Sequence, residues 1–260
     1  MAFLFDEGSR TKTFRFLSAV IGVLTSSVLA SGQDTKTIDF NQHGWFSYSG
    51  DHAIRGRWGL HFDGQWRRSD IVTKWQQYQL RPGLNFEAAS NVLLTLGYAY
   101  TRSFPYGDFP LSAAFPEHRT YQQAIVRHRK KHVSLQQRYR LEQRFVRYPN
   151  SQDRSWTYQN RFRYLLKADF PLTKRADEKM EWYIPVYDEI LIGLPPNYGA
   201  RPFDQNRLFA GIGYSLGAPG NIEVGYMKQF LGQRNGRIFE FNNTLFVTFT
   251  SNYSFAGSRQ

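Results

Sequence analysis

Residues 133–148 read VSLQQRYRLEQRFVRY, a segment in which two kinds of side chain alternate. Polar and charged side chains occupy the even-numbered positions, while the odd-numbered positions are mostly apolar or aromatic. A period of two places successive side chains on opposite faces of a β-strand, whereas a helix would scatter the arginines around its circumference. The pattern therefore predicts a strand with one charged face, formed by Gln136, Arg138, Arg140, Glu142 and Arg144.

Two fold classes can bury one face of such a strand. In a secreted soluble β-sandwich the apolar face forms the core and the arginines meet water. In a transmembrane barrel the apolar face meets lipid and the charged face lines the lumen. Alternation recurs in ten further segments, several of which have the roughly 9–11 residues that a tilted strand needs to cross a bilayer. Together with residues 133–148 this makes eleven segments, whereas bacterial single-chain barrels have even strand numbers. We therefore predict an all-β fold, an antiparallel transmembrane β-barrel of about 10–12 strands. The soluble sandwich is the alternative.

The N-terminus and the composition agree with an exported membrane protein. Arg10, Lys12 and Arg15 precede an apolar run at residues 16–29, and small residues follow up to Gly32. This order is typical of a secretory signal peptide, although a single membrane anchor is the alternative interpretation. The 260-residue chain has 17% aromatic residues, a net charge of +12 and no cysteine, which suits passage through an oxidising periplasm. We predict a cleaved signal peptide at residues 1–32 and an outer-membrane barrel at residues 33–260.

A set of five motifs in chain order carries a family resemblance. They are EHRTYQQ from Glu117, RYRLEQRF from Arg138, RFRYLL from Arg161, YDE from Tyr187 and DQNRLFAGIGY from Asp204. Together they resemble an uncharacterised family of Gram-negative outer-membrane β-barrel proteins, and the resemblance spans roughly the whole mature chain. It implies a membrane barrel located in the cell outer membrane. It supplies no activity, so no catalytic residue is carried over.

The polar faces of consecutive strands predict one luminal cluster. A narrow barrel is filled by its own side chains, so a structural interpretation pairs the buried arginines with carboxylates and amides. A second interpretation is a binding site for a small anionic ligand, because guanidinium groups bind phosphate or carboxylate in bidentate fashion. Both remain open at the level of sequence. The cluster consists of Glu117, Arg119, Gln123, Arg138, Arg140, Glu142, Arg144, Arg161, Arg163, Glu189, Gln205 and Arg207.

The sequence favours a structural or narrow transport-type barrel over an enzyme. The alternative is an outer-membrane lipid- or lipid A-modifying hydrolase, because His132 and Ser134 have the spacing of a base and a nucleophile. No obvious third group orients His132, and such sites are recognised by geometry rather than by spacing. The histidines form no metal-ligand spacing, so neither a metal nor another cofactor is predicted. The expected partners are outer-membrane lipids and not nucleic acid, because the arginines lie inside a barrel.

Overall fold

The computed structural model describes residues 36–130, 133–149, 155–173 and 181–255, and these residues wind into one closed barrel. The predicted signal peptide, residues 1–32, lies outside the described residues. No helix in the described part of the chain is long and apolar enough to cross a membrane.

Eleven strands are found within the described residues, which confirms the predicted all-β barrel of about 10–12 strands. In chain order they are β1 (Thr37–Arg55), β2 (Trp58–Ser69), β3 (Lys74–Ala89), β4 (Val92–Ser103), β5 (Phe115–Lys130), β6 (Val133–Val146), β7 (Thr157–Pro171), β8 (Trp182–Leu194), β9 (Phe203–Gly217), β10 (Gly220–Gly232) and β11 (Ile238–Ser251).

The barrel closes through a parallel pair, whereas we predicted an antiparallel barrel. Each strand pairs antiparallel with the next one in sequence, and β1 then pairs parallel with β11, from Thr37 opposite Ile238 to Gly50 opposite Ser251. The reason is the odd strand number. If every successive strand reverses direction, the first and the eleventh point the same way and can meet only in parallel.

The two ends of the barrel carry different connections. One end, called here the long-loop end, carries the connections at residues 104–114, 147–156, 195–202 and 233–237. The other, called the tight-turn end, carries two-residue turns at residues 56–57, 90–91 and 218–219. The connection at residues 172–181 is long although it belongs to the tight-turn end.

Side chains alternate between an apolar outer surface and a polar interior. Large apolar residues such as Phe62, Leu96 and Ile212 are exposed on the outside, whereas residues such as Arg81 and Asn85 are buried inside. A soluble sandwich would pack two sheets through their apolar faces. Here one closed sheet has its apolar face outward, which is the arrangement of a transmembrane barrel. The soluble sandwich alternative is therefore wrong.

An apolar cluster fills the interior on the side of β1 and β8–β11. Trp45, Phe209 and Met227 are buried together, with Tyr187 and Phe246 packed against them. The rings of Tyr187 and Phe209 stack with their centroids 4.8 Å apart. The opposite side of the interior, along β5, β6 and β7, is left to charged side chains.

Two inward-facing glycines make room for tyrosine rings. A Cβ atom on Gly97 would lie 2.2 Å from the ring of Tyr121, and a Cβ atom on Gly213 would lie 2.3 Å from the ring of Tyr183. Real Cβ atoms do not approach other atoms so closely. The small residue on one strand therefore accommodates the large residue on its neighbour, which lets the narrow interior pack at normal density.

Candidate functional site

Glu142 is the centre of an arginine network on β5, β6 and β7. Its side chain is 0% exposed, and Arg161 donates to its Oε2 from Nε and Nη2 at 2.8 and 2.6 Å. Arg163 and Arg119 donate to Oε1 at 2.9 and 3.4 Å, and a nitrogen of Arg140 lies 3.9 Å away. Paired register positions on adjacent strands bring these groups together, since Glu142 lies opposite Arg161. One carboxylate thus neutralises charge from four arginines.

Glu117 and Glu189 flank this centre on its two sides. Glu117 accepts hydrogen bonds from Arg119 at 2.8 Å and from Arg144 at 2.6 and 2.9 Å. Glu189 accepts from Arg163 at 2.9 and 2.6 Å. The remaining arginines that reach Glu189 are Arg138 at 2.6 Å and Arg207 at 3.2 Å.

The structure places all twelve predicted residues on inward-facing positions of β5–β9, and brings ten of them into the described ion pairs. The two glutamines act as neutral acceptors: Gln123 accepts from Nε of Arg140 at 2.8 Å, and Gln205 accepts from Arg207 at 3.0 and 2.8 Å. Among the described residues, seven arginines of the network share four carboxylates, those of Glu117, Glu142, Glu189 and Asp204.

Asp204 and Arg67 also belong to the site, and our sequence analysis did not include them. Asp204 lies one residue inside the start of β9 and accepts from Arg161 at 2.7 Å. Arg67 lies on β2 on the far side of the interior. The polar alternation of β2 was a usable signal for Arg67, but only the closed barrel shows that its side chain faces the same space as the network.

A cavity of about 640 Å³, called here the vestibule, lies at the long-loop end above the network. Six arginines and three carboxylates of the described residues line it. These are Arg67, Arg119, Arg144, Arg161, Arg207 and Arg234, with Glu117, Asp204 and Glu240. Seven glutamine side chains add to the polar wall: Gln76, Gln77, Gln79, Gln159, Gln205, Gln229 and Gln233.

Arg67 contacts neutral groups in the vestibule. Its guanidinium donates to Gln65 at 3.0 and 2.5 Å and to Gln77 at 2.8 Å. It also lies 3.9 Å from the ring centre of Trp45, while the guanidinium of Arg207 lies 5.3 Å from the same indole. Within the described residues no carboxylate forms an ion pair with Arg67. These neutral contacts leave its positive charge without a described counter-charge.

The loop at residues 104–114 folds over the mouth and forms one wall of the vestibule. The hydroxyl of Tyr106 donates to Glu240 at 2.8 Å, and the backbone nitrogen of Asp108 donates to Asp39 at 3.3 Å. Burial and the adjacent Glu240 carboxylate raise the pKa of Tyr106 well above its ordinary value, so the hydroxyl remains a donor. Gly107 has a φ of 73°, and a Cβ atom there would lie 2.6 Å from Asp39.

Beneath the vestibule the described side chains pack against one another. Arg140, Tyr121 and Phe209 are among the largest fully buried residues. Farther toward the tight-turn end, Lys167 on β7 pairs with Glu223 on β10, two strands beyond its own neighbour. In this conformation a solute in the vestibule meets a packed interior, so passage through the barrel requires these side chains to move.

Of the two residues considered for hydrolase chemistry, the structure describes Ser134 alone. Ser134 lies at the tight-turn end, opposite Arg129 on β5 and Asp169 on β7, while His132 lies outside the described residues. Among the described residues, no group of three or more histidine, aspartate or glutamate side chains is placed to hold a metal ion.

Two of three comparisons with known proteins give a match. Comparison with solved structures gives the NanC porin, at a TM-score of 0.43 and 9% sequence identity, with 75% of this chain and 90% of that chain covered. Comparison with curated proteins gives no match. The model of a family described as "protein of unknown function (DUF2490)" matches residues 42–240. The chain therefore belongs to the DUF2490 family.

Proposed function

We propose that this chain is a narrow, transport-type barrel of the outer membrane whose vestibule binds small anionic solutes carrying a carboxylate or phosphate group. The observation that carries the proposal is the excess of arginine over carboxylate around the vestibule. Six arginines against three carboxylates line its described wall, and two of these arginines, Arg67 and Arg234, form no ion pair among the described residues. If these arginines served only to fill the barrel interior, each buried positive charge would need a carboxylate partner within the chain.

The type of charge supports an anionic ligand. Guanidinium groups keep their charge and offer fork-shaped pairs of donors that match carboxylate and phosphate oxygens. The described hydrogen bonds of Arg67 go to amide oxygens, and its guanidinium lies over an indole ring. An anion that replaced one of these neutral acceptors would form a stronger, charge-assisted hydrogen bond.

The outer surface supports the location. Exposed leucine, isoleucine, phenylalanine and tryptophan side chains surround the described barrel wall, and such a surface needs an apolar solvent. Outer-membrane lipids are therefore the proposed surroundings of the chain. In this setting the long-loop end faces the exterior, as is usual for bacterial barrels.

Calorimetric titration of the purified barrel in neutral detergent tests the binding proposal. Inorganic phosphate and succinate are the probes, and choline chloride is the cationic control. We expect saturable binding of at least one anion, weakened roughly tenfold or more by Arg67→Gln, as loss of a charge-assisted hydrogen bond implies. Arg127→Gln is the matched control, because Arg127 is exposed at the tight-turn end. Equal heats for the wild type and for Arg67→Gln would contradict the proposal.

A further inference from the structure

Five polar side chains form a strip across the mostly apolar outer surface of the barrel. By their register on β8, β9, β10, β11 and β1 they face outward, on the side opposite to the buried interior residues. The strip consists of Asp188, Asn206, Lys228, Asn243 and Gln42.

Asp188 and Lys228 are placed symmetrically on the two sides of Leu208. Asp188 on β8 and Lys228 on β10 both lie opposite Leu208 on the intervening strand β9. Neighbouring strands are about 4.8 Å apart, so the two backbones are separated by about 10 Å with Leu208 midway. No ion pair joins the two side chains in the described structure, so each charge is left facing the apolar surroundings.

The strip lies within the apolar band and not at its edge. Toward the long-loop end the outward-facing positions continue with Phe203, Phe230 and Phe241, which pack as aromatic pairs. Toward the tight-turn end they continue with Ile212 and Val224, both exposed. Ionised side chains at such a depth are unfavourable in lipid and are normally paired.

A second group of outward-facing polar residues is hydrogen-bonded within the chain. Gln122 and Gln143 on adjacent strands exchange two amide hydrogen bonds of 3.1 Å, and Thr120 donates to Gln143 at 3.0 Å. Asp188, by contrast, accepts one described side-chain hydrogen bond, from Asn206 at 2.8 Å. The Lys228 ammonium has no described hydrogen-bond or ion-pair partner.

We infer that a second copy of this chain docks on the outer face of β8–β10, with Asp188 of each copy paired to the partner's Lys228. Two copies with the same orientation in a membrane are related by a twofold axis along the membrane normal. When that axis passes beside Leu208, it places β8 of one copy against β10 of the other. The pair of Asp188 and Lys228 then forms twice, once on each side of the axis, as expected of an isologous interface.

The geometry allows this pairing despite the tilt of the strands. Strands tilted by about 40° place Asp188 and Lys228 at depths that differ by roughly 6 Å. The flexible four-carbon stem of a lysine spans such a difference. The interface is independent of the vestibule, because its residues lie on the outer face of the wall and the vestibule residues lie on the inner face.

Engineered cysteines test the interface directly, because the natural chain contains no cysteine. Leu208→Cys lies on the proposed axis, and its side chain is 49% exposed in the wild type. Leu96→Cys is the matched control: Leu96 is 61% exposed and lies on β4, across the barrel from β9. We expect oxidation in phospholipid vesicles, at about one protein per several hundred to a thousand lipids, to yield disulfide-linked dimers of Leu208→Cys at least fivefold more often than of Leu96→Cys. Equal yields would overturn the inference.

A charge exchange tests the pairing itself in the Leu208→Cys background. Asp188→Lys or Lys228→Asp alone should reduce the dimer yield about fivefold, because each places like charges together. The double exchange should restore the yield, since both pairs form again with their signs reversed. Heat-dependent gel mobility checks that each variant is folded, and Asp188→Asn and Lys228→Gln replace any variant that is not. Single changes without effect, or a double exchange without recovery, would overturn the inference.

Discussion

Arg161 donates two hydrogen bonds to one carboxylate oxygen of Glu142, at 2.8 and 2.6 Å, and a third to Asp204 at 2.7 Å. Glu142 is fully buried in the network, whereas the Asp204 side chain is a quarter exposed at the mouth. One guanidinium group therefore connects the packed interior with the vestibule. A charge added to the vestibule acts on the same arginines that hold the strands β6, β7 and β9 together.

Replacing Glu142 by glutamine should strongly destabilise the barrel. The change leaves the positive charges of Arg161 and Arg163 without their shared partner, and breaking a buried ion pair costs about 3–5 kcal/mol. Leu141→Ala should cost less, because Leu141 is 38% exposed on the outer face and loses contacts with lipid rather than with a packed interior. The two unfolding midpoints are compared in the same detergent. A neutral Glu142→Gln with enhanced anion binding would show that the network is a binding site and not a support.

An alanine at Gly97 should disturb the interior packing. The added Cβ atom would lie 2.2 Å from the Tyr121 ring, so the ring must move within a packed barrel. Such overpacking typically costs about 1–3 kcal/mol. Gly64→Ala is the control, because its Cβ atom would meet only Phe62 and Leu80 at 3.6 and 3.9 Å. Urea unfolding of both variants in detergent micelles measures the difference, and equal midpoints would contradict this account of Gly97.

Tyr106→Phe should loosen the loop at residues 104–114. The variant lacks the hydrogen bond to Glu240, and we expect faster proteolysis within the loop while the barrel stays intact. The pKa of Tyr106 is raised in the folded chain, so its neutral form, and with it the loop contact, is favoured below about pH 10. The loop should therefore keep its protease resistance up to about pH 10 and lose it only above. A loss of resistance at neutral pH in the wild type would contradict this assignment.

The double substitution of His132 and Ser134 by alanine should leave outer-membrane lipids unchanged. Ser134 lies opposite Arg129 and Asp169 at the tight-turn end, away from the vestibule. Lipid profiles of cells that carry the wild type, the double variant or a deletion are compared by mass spectrometry. A change that appears both on deletion and in the double variant would favour the hydrolase alternative.

Alternation was sufficient to predict the strands β2–β11, because a barrel wall imposes a period of two on every segment that crosses it. It was insufficient for the full length of β1, Thr37–Arg55, because the pattern is clear only in the aromatic segment at residues 44–49. The outward positions Gln42 and Gly44 are not large apolar residues, so the contrast between the faces is lost there. Pro82 interrupts the ladder between β3 and β4, because the pairing skips from Leu80 to Gly83.

The charged face of β6 was predictable for the same reason, since charged side chains at every second position must share one face. The vestibule was not. It depends on the folding of the loop at residues 104–114 over the mouth and on the position of Arg67 across the interior. Both are contacts between segments distant in sequence, and a periodicity within one strand contains no information about them.

The parallel seam between β1 and β11 has a consequence for the order of assembly. Its partners are about two hundred positions apart in the chain, as Thr37 and Ile238 show, whereas every other pair joins consecutive strands. The search for so distant a partner is slow, and a parallel ladder is slightly less stable per residue than an antiparallel one. Hairpins should therefore form in sequence and the seam should form last. The same seam is then the place where a finished barrel would first reopen sideways into the bilayer.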